Sequence, residues 1–147
     1  MIVNLVKGKN RACDSGADRL SWWRMVLITF NKCQRLLCLN YVQRVSSAEL
    51  AAVRDDLKAA LTDLPDGFRL LVDLSQVEFM DPDCLPDLGR AMELFDQRGV
   101  SLIVRVIPDA SKDIGLNILT LFHYPHHPRV ITCQNLAEAL RQLAVWK

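Results

Sequence analysis

Two stretches of this 147-residue sequence, Phe68 to Leu74 and Val100 to Ile107, are largely apolar without the alternation of a half-exposed strand. Strands of that kind are covered on both faces, which happens inside parallel sheets flanked by helices. Arg105 is the exception in the second stretch. Around these two strands, segments with helical spacing alternate with further strand-like segments. Met25 to Phe30 and Arg35 to Val42 read as two strands joined by the polar turn Asn31-Lys32-Cys33-Gln34. Ser46, three residues before Glu49, has the capping-box spacing of a helix start. Leu50, Val53, Leu57, Leu61 and Leu64 then recur at helical intervals until Pro65-Asp66-Gly67 turns the chain.

A second helix is expected to start near Asp83. Proline lacks an amide hydrogen and is tolerated only in the first turn, so Asp83 as cap accommodates Pro86, whereas Asp81 as cap pushes it deeper. Leu85, Leu88, Met92 and Phe95 form the expected buried stripe, and Gly99 the stop. Asp109 to about Phe122 reads as a third helix and Arg129 to Cys133 as a short strand. Asn135 and Glu138 cap a last helix carrying Leu136, Leu140 and Leu143. This order predicts an α/β domain over residues 25–147, a mostly parallel or mixed sheet of about five strands with four covering helices. Residues 1–24 read as an N-terminal arm. Met1 to Val6 has the character of a short strand, but the adjoining polar, glycine-broken segment suggests an unordered appendage, or an over-extended start with Met25 as the true beginning.

Eighteen basic and seventeen acidic residues leave a net charge of +1, which argues against a general nucleic-acid binder. No apolar run reaches the roughly 18 residues of a membrane span. Lys7, Lys9, Asn10 and Arg11 interrupt any secretory signal. The five cysteines are odd in number and form no C-x-x-C pair, so no disulfide framework or standard zinc site is indicated, and a reducing cytoplasm is the simplest setting. The charge is unevenly placed: residues 1–45 carry +6 and residues 46–147 carry −5. From Leu70 to Gly89 there is no basic residue, while Asp73, Glu78, Asp81, Asp83 and Asp87 fall there. Such a stretch suits a basic protein surface, a metal ion, or simply solvent.

The segment Val72 to Leu88, VDLSQVEFMDPDCLPDL, joins a strand end to an acidic loop and a helix start, the usual place for binding in α/β folds. Here the chain resembles the STAS family, the domain shared by sulphate transporters and bacterial anti-sigma factor antagonists, in its stand-alone form. The family's strand ending D-L-S-x-V is matched by Asp73-Leu74-Ser75-Gln76-Val77. Its x-F-x-D-S-S-G-L helix start is matched by Glu78-Phe79-Met80-Asp81-Pro82-Asp83-Cys84-Leu85. Asp96-Gln97-Arg98-Gly99-Val100-Ser101-Leu102-Ile103-Val104 is similar to its helix-glycine-strand step, and Asn135 to Leu140 to its final helix.

The resemblance implies a STAS-like fold and a non-enzymatic regulatory role without a cofactor. Its implied partner is another protein: an anti-sigma factor or kinase-like regulator, a stressosome-like assembly, or a component of a lipid or anion transporter. Neither nucleic acid nor membrane insertion is implied. The surface it implies comprises Ser46 and Ser47 beside the first helix and Asp81, Asp83, Cys84 and Asp87 beside the second. In the family the second serine of D-S-S-G accepts phosphate; here Asp83 stands there, with Pro82 for the first serine and Cys84 for the glycine. Asp83 then either imitates part of a phosphoserine's charge or only caps the helix.

Other readings of the residues compete. Asp81-x-Asp83 is an arrangement that magnesium-dependent phosphoaspartyl phosphatases use, with Lys112 and Asp113 as the available partners. A Cys84 thiolate would gain from helix amides and lose from the neighbouring acids. His123, His126, His127 and Cys133 are metal-ligand types without zinc spacing, and a proline-stiffened loop of solvated imidazoles accounts for them. Trp22 and Trp23, beside Arg19 and Arg24, either pack the arm onto the domain or seat a ligand.

Overall fold

The computed structural model describes residues 2–4, 26–109 and 113–145. Its elements run β1 (Ile2–Asn4), β2 (Val26–Asn31), β3 (Leu36–Val45), α1 (Ser47–Asp63), β4 (Arg69–Met80), α2 (Leu85–Gln97), β5 (Leu102–Val106), α3 (Asp113–His123), β6 (Arg129–Cys133) and α4 (Leu136–Val145), with a 310 turn at Pro82–Cys84. The strands form one mixed sheet in sequence order. β1–β2 and β2–β3 pair antiparallel, and β3–β4, β4–β5 and β5–β6 pair parallel. The α/β class, five of the strands and the four helices are as expected from the sequence. The sixth strand is Ile2–Asn4, within the segment read as an arm.

The two doubly apolar strands occupy the interior, β4 between β3 and β5. On one face Leu37, Leu39, Leu70 and Ile103 meet Leu50, Val53, Leu57 and Leu61 of α1 and Leu88, Met92 and Phe95 of α2. On the other, Leu71, Leu102, Val104 and Val106 meet Ala139 and Leu143 of α4. Arg69 clamps α4 to the sheet, donating to the Leu143 carbonyl at 2.5 Å and to the Gln34 carbonyl at 2.7 Å.

The caps agree with the sequence in three places. Ser46 Oγ accepts the Glu49 amide, and Asn135 Oδ1 accepts the Glu138 amide at 2.8 Å while Glu138 receives the Gln134 amide. Gly99, at φ +79°, ends α2, with the Val100 amide reaching back to the Phe95 carbonyl.

Several expectations are corrected. β3 and β4 extend to Val45 and Met80 rather than ending at Val42 and Leu74, because their pairing resumes after bulges at Asn40/Val42 and Gln43/Arg44. Polar residues in this part of β4 disguise it; Asp73 Oδ1 even binds the Ser75 amide and hydroxyl, a turn-like contact within a strand. The hairpin turn places Arg35 at φ 52°, without the glycine that usually marks such a site. Asp109 lies in a bend rather than in α3, which is described over Asp113–His123. Leu85, Leu136 and Leu140 are exposed, so the buried stripe of α2 begins at Leu88 and that of α4 is Ala139 with Leu143. The Trp22–Trp23 pair and Lys112 lie outside the described residues.

Leu70 is 0% exposed at the sheet centre, whereas Leu121 on α3 is 73% exposed. Leu70→Ala should lower unfolding free energy in urea by about 2–5 kcal/mol, through lost burial and a cavity. Leu121→Ala should change it by less than about 0.5 kcal/mol.

Candidate interaction site

The carboxyl ends of β3 and β4 meet at the Val45–Met80 pair, and one carbonyl there organises the entry to α2. Val45 O accepts the Asp81 amide at 2.9 Å and the Cys84 Sγ–H at 3.4 Å. The cap of α1, Ser46, one residue beyond Val45, is thereby fixed beside the turn that leads into α2. Ser46 and Ser47, both half-buried, and the Asp81–Cys84 segment thus come together in space.

The cap is not Asp83. Asp81 Oδ1 accepts the Asp83 amide at 3.0 Å, and the Asp81 carbonyl accepts the Cys84 amide at 2.9 Å. Both alternatives for Pro86 suppose an α-helix running directly from its cap. The intervening 310 turn removes the conflict: Asp81 caps that turn, α2 begins at Leu85, and Pro86 still falls in its first turn. Asp83 is left with its side chain exposed.

Cys84 and Asp87 are poor contact residues. Cys84 is 0% exposed and packs in the core, so it anchors the turn from below. Burial raises its thiol pKa, and the carboxylates of Asp81, Asp87 and Asp83 add to this. Asp87 sits between two guanidinium groups, 3.0 Å from Arg54 of α1 and 3.3 Å from Arg90 of α2. It ties the two helices together.

Two further neighbours fall within the quoted motif, but the sequence does not mark them as surface. Phe79 and Leu85, 53% and 47% exposed, line the same concavity as Asp81 and Pro82. Their exposure depends on β4 running on to Met80 and on the 310 turn, and no periodicity reveals either. The surface is therefore mixed, apolar groups beside the Asp81 and Asp83 carboxylates. The concavity opens into a cavity of about 600 Å3 under α2 and α3.

His126 and His127 are exposed in the loop between α3 and β6, as expected, but two of the rings also meet carboxylates. His123 Nδ1 lies 2.8 Å from Glu93 and His126 Nδ1 2.5 Å from the buried Asp96, whose other oxygen receives the His126 amide. Both rings latch the α3–β6 loop onto α2. Among the described residues, no three His, Cys, Asp or Glu side chains are grouped to hold a metal, and no helix is long and apolar enough to cross a membrane.

Asp81→Ala should destabilise the fold by about 1 kcal/mol through loss of its cap. Asp83→Ala should leave the denaturation midpoint nearly unchanged, the reverse of what an Asp83 cap requires. Brief alkylation of native protein at pH 8 should modify Cys33, which is exposed, and spare Cys84 and Cys133 until denaturant is added. Both buried thiols titrate above their ordinary 9.0. Their contribution to stability is therefore complete below pH 9 and lost as pH rises through the higher folded values, so the denaturation midpoint should fall on the alkaline side of pH 9.

No protein-family model matches the sequence, and no curated protein matches it. Solved structures do match the fold. A protein of the DUF3478 family with a SpoIIAA-like fold, from Shewanella loihica PV-4, has a TM-score of 0.60 at 13% identity, over 80% of this chain and 91% of that one. The anti-sigma factor antagonist SpoIIAA, in its unphosphorylated form, gives 0.54 at 13% identity over 82% and 98%. An anti-sigma factor antagonist from Mycobacterium paratuberculosis gives 0.52 at 19% over 81% and 92%. The chain has the SpoIIAA-like, STAS fold.

Proposed function

We propose that this protein is a non-enzymatic regulator that acts in the cytoplasm by docking onto another protein of the anti-sigma factor or kinase-like type. Its contact surface centres on the turn before α2. The observation that carries this reading is the division of labour between two carboxylates. Asp81 makes the capping bond, and Asp83 projects from the turn with its side chain exposed. A cap alone does not account for a second aspartate there. Ser46, Ser47, Phe79 and Leu85 surround it, while Cys84 and Asp87 support it from within.

A fixed carboxylate beside the start of a helix keeps part of the charge of a phosphoserine, without its second charge or its three acceptor oxygens. No serine or threonine lies between Asp81 and Asp87. The partner's surface must therefore accept a permanent negative charge at this point, and phosphorylation at the turn does not switch the contact. The absence of catalysis is part of the same reading. Asp81 Oδ1 is engaged by the Asp83 amide in a capping bond, a structural task rather than the poised geometry of a nucleophile with its base.

The test uses the anti-sigma kinases of the source organism as binding partners, measured by calorimetry against the native chain and Asp83→Ser. Serine removes the charge, and the fold keeps its Asp81 cap. Affinity should shift at least tenfold, about 1.4 kcal/mol, with little change in denaturation midpoint. Equal affinities for the two chains, or no binding by any candidate, would sink the proposed surface. Magnesium-dependent release of phosphate from p-nitrophenyl phosphate, abolished by Asp81→Asn, would overturn the non-enzymatic reading.

A further inference from the structure

The cavity of about 600 Å3 between the sheet and the α2–α3 pair is open to solvent, and its size falls within that of small-molecule sites. Val72, Leu74, Met92, Phe95, Ile103 and Val130 give it an apolar wall. Arg105, only 4% exposed, is the one lysine or arginine among the described lining residues. Tyr41, Thr120 and Tyr124 add polar groups nearby.

One side of the cavity depends on how α3 meets the sheet. This helix packs chiefly against α2. Toward β5 it presents Asn117 and Thr120, which receive the Arg105 guanidinium at 2.6 and 3.5 Å. Polar groups thus bridge this part of α3 to β5.

Charge orients any occupant. Glu78, Asp81 and Asp109 are the carboxylates among the described lining residues, and Glu78 and Asp109 are exposed. They repel an anionic head from the mouth and attract a cationic one. Arg105 favours an anion at the buried wall. We propose that the cavity binds a single-chain fatty acid, its hydrocarbon tail along the apolar wall and its carboxylate against the Arg105 guanidinium. Phe79, Asp81 and Leu85 line the mouth of the same cavity, but such a ligand needs no protein partner, so titration of the chain alone tests it apart from the docking reading.

Dodecanoate, dodecanol and dodecylamine, kept below their micellar concentrations, supply one chain with three heads. Calorimetric titration of the full chain should show dodecanoate binding at least tenfold more tightly than dodecylamine, with dodecanol between them. Dodecanoate should also raise the thermal midpoint, since it binds only the folded state. Val72→Phe, which fills the wall, should weaken dodecanoate at least tenfold while the circular dichroism spectrum is retained; Ala91→Leu, from the α2 side, provides the same test should the first variant misfold. Arg105→Lys should keep the preference for the acid. No saturable binding of dodecanoate, an equal or stronger affinity for the amine, or unaltered binding in the folded filling variant would each overturn the proposal.

Discussion

The parallel pairing of β3 with β4 is the contact on which the other elements depend. It runs from Leu36–Arg69 to Val45–Met80, and buries Leu37, Leu39 and Leu70 on one face and Leu71 on the other. Parallel strands need a crossover, and α1 supplies it while covering the face it crosses. At the far end of the pair a single carbonyl, Val45 O, holds the turn into α2 through an amide and a thiol. The position of both helix starts is thus set by the register of two central strands. The bulges are part of this arrangement: β4 carries the extra residues, and they bring Val45 into register with Met80 after the polar interruption at Asp73–Ser75.

Few charges lie in the core, and each is surrounded by specific partners. Asp96 accepts two bonds from His126, and Arg105 donates to α3. An ionised group removed from water is tolerable only when its hydrogen bonds are replaced. These contacts also set geometry. The Asp96 and Glu93 carboxylates hold the α3–β6 loop against α2, and Gly89 makes this possible: an added Cβ there would lie 2.7 Å from the His123 ring. The loop, α2 and α3 consequently form one side of the cavity.

The acidic stretch, uniform in the sequence, divides into separate roles in space. Asp73 bonds Ser75 within a strand, Asp81 caps a turn, Asp87 bridges Arg54 and Arg90, and Asp83 remains outside these contacts with its side chain exposed. Like residue types at short spacing carry little information about which of them is used, since a carboxylate's role depends on donors that come from elsewhere in the chain.

Periodicity alone was sufficient for the α/β class, the interior position of the strand at Phe68–Leu74, and the helix from Ser47 to Asp63. Local chemistry placed the Ser46 and Asn135 caps and the Gly99 stop, because a helix end is satisfied by residues within one turn of it. Contacts between segments distant in the chain lay beyond such reading. The extension of β4 to Met80 depends on hydrogen bonds from β3, and the exposure of Phe79 and Leu85 is a consequence of it. The sequence allowed Asp83 as the cap; the tertiary structure assigned that role to Asp81, because Val45 draws the Asp81 amide and Cys84 inward and tightens the turn into 310 geometry. The cavity, too, is a tertiary property. At its wall Arg105, an isolated interruption in an apolar strand, meets polar groups of a helix whose approach only the packed domain determines.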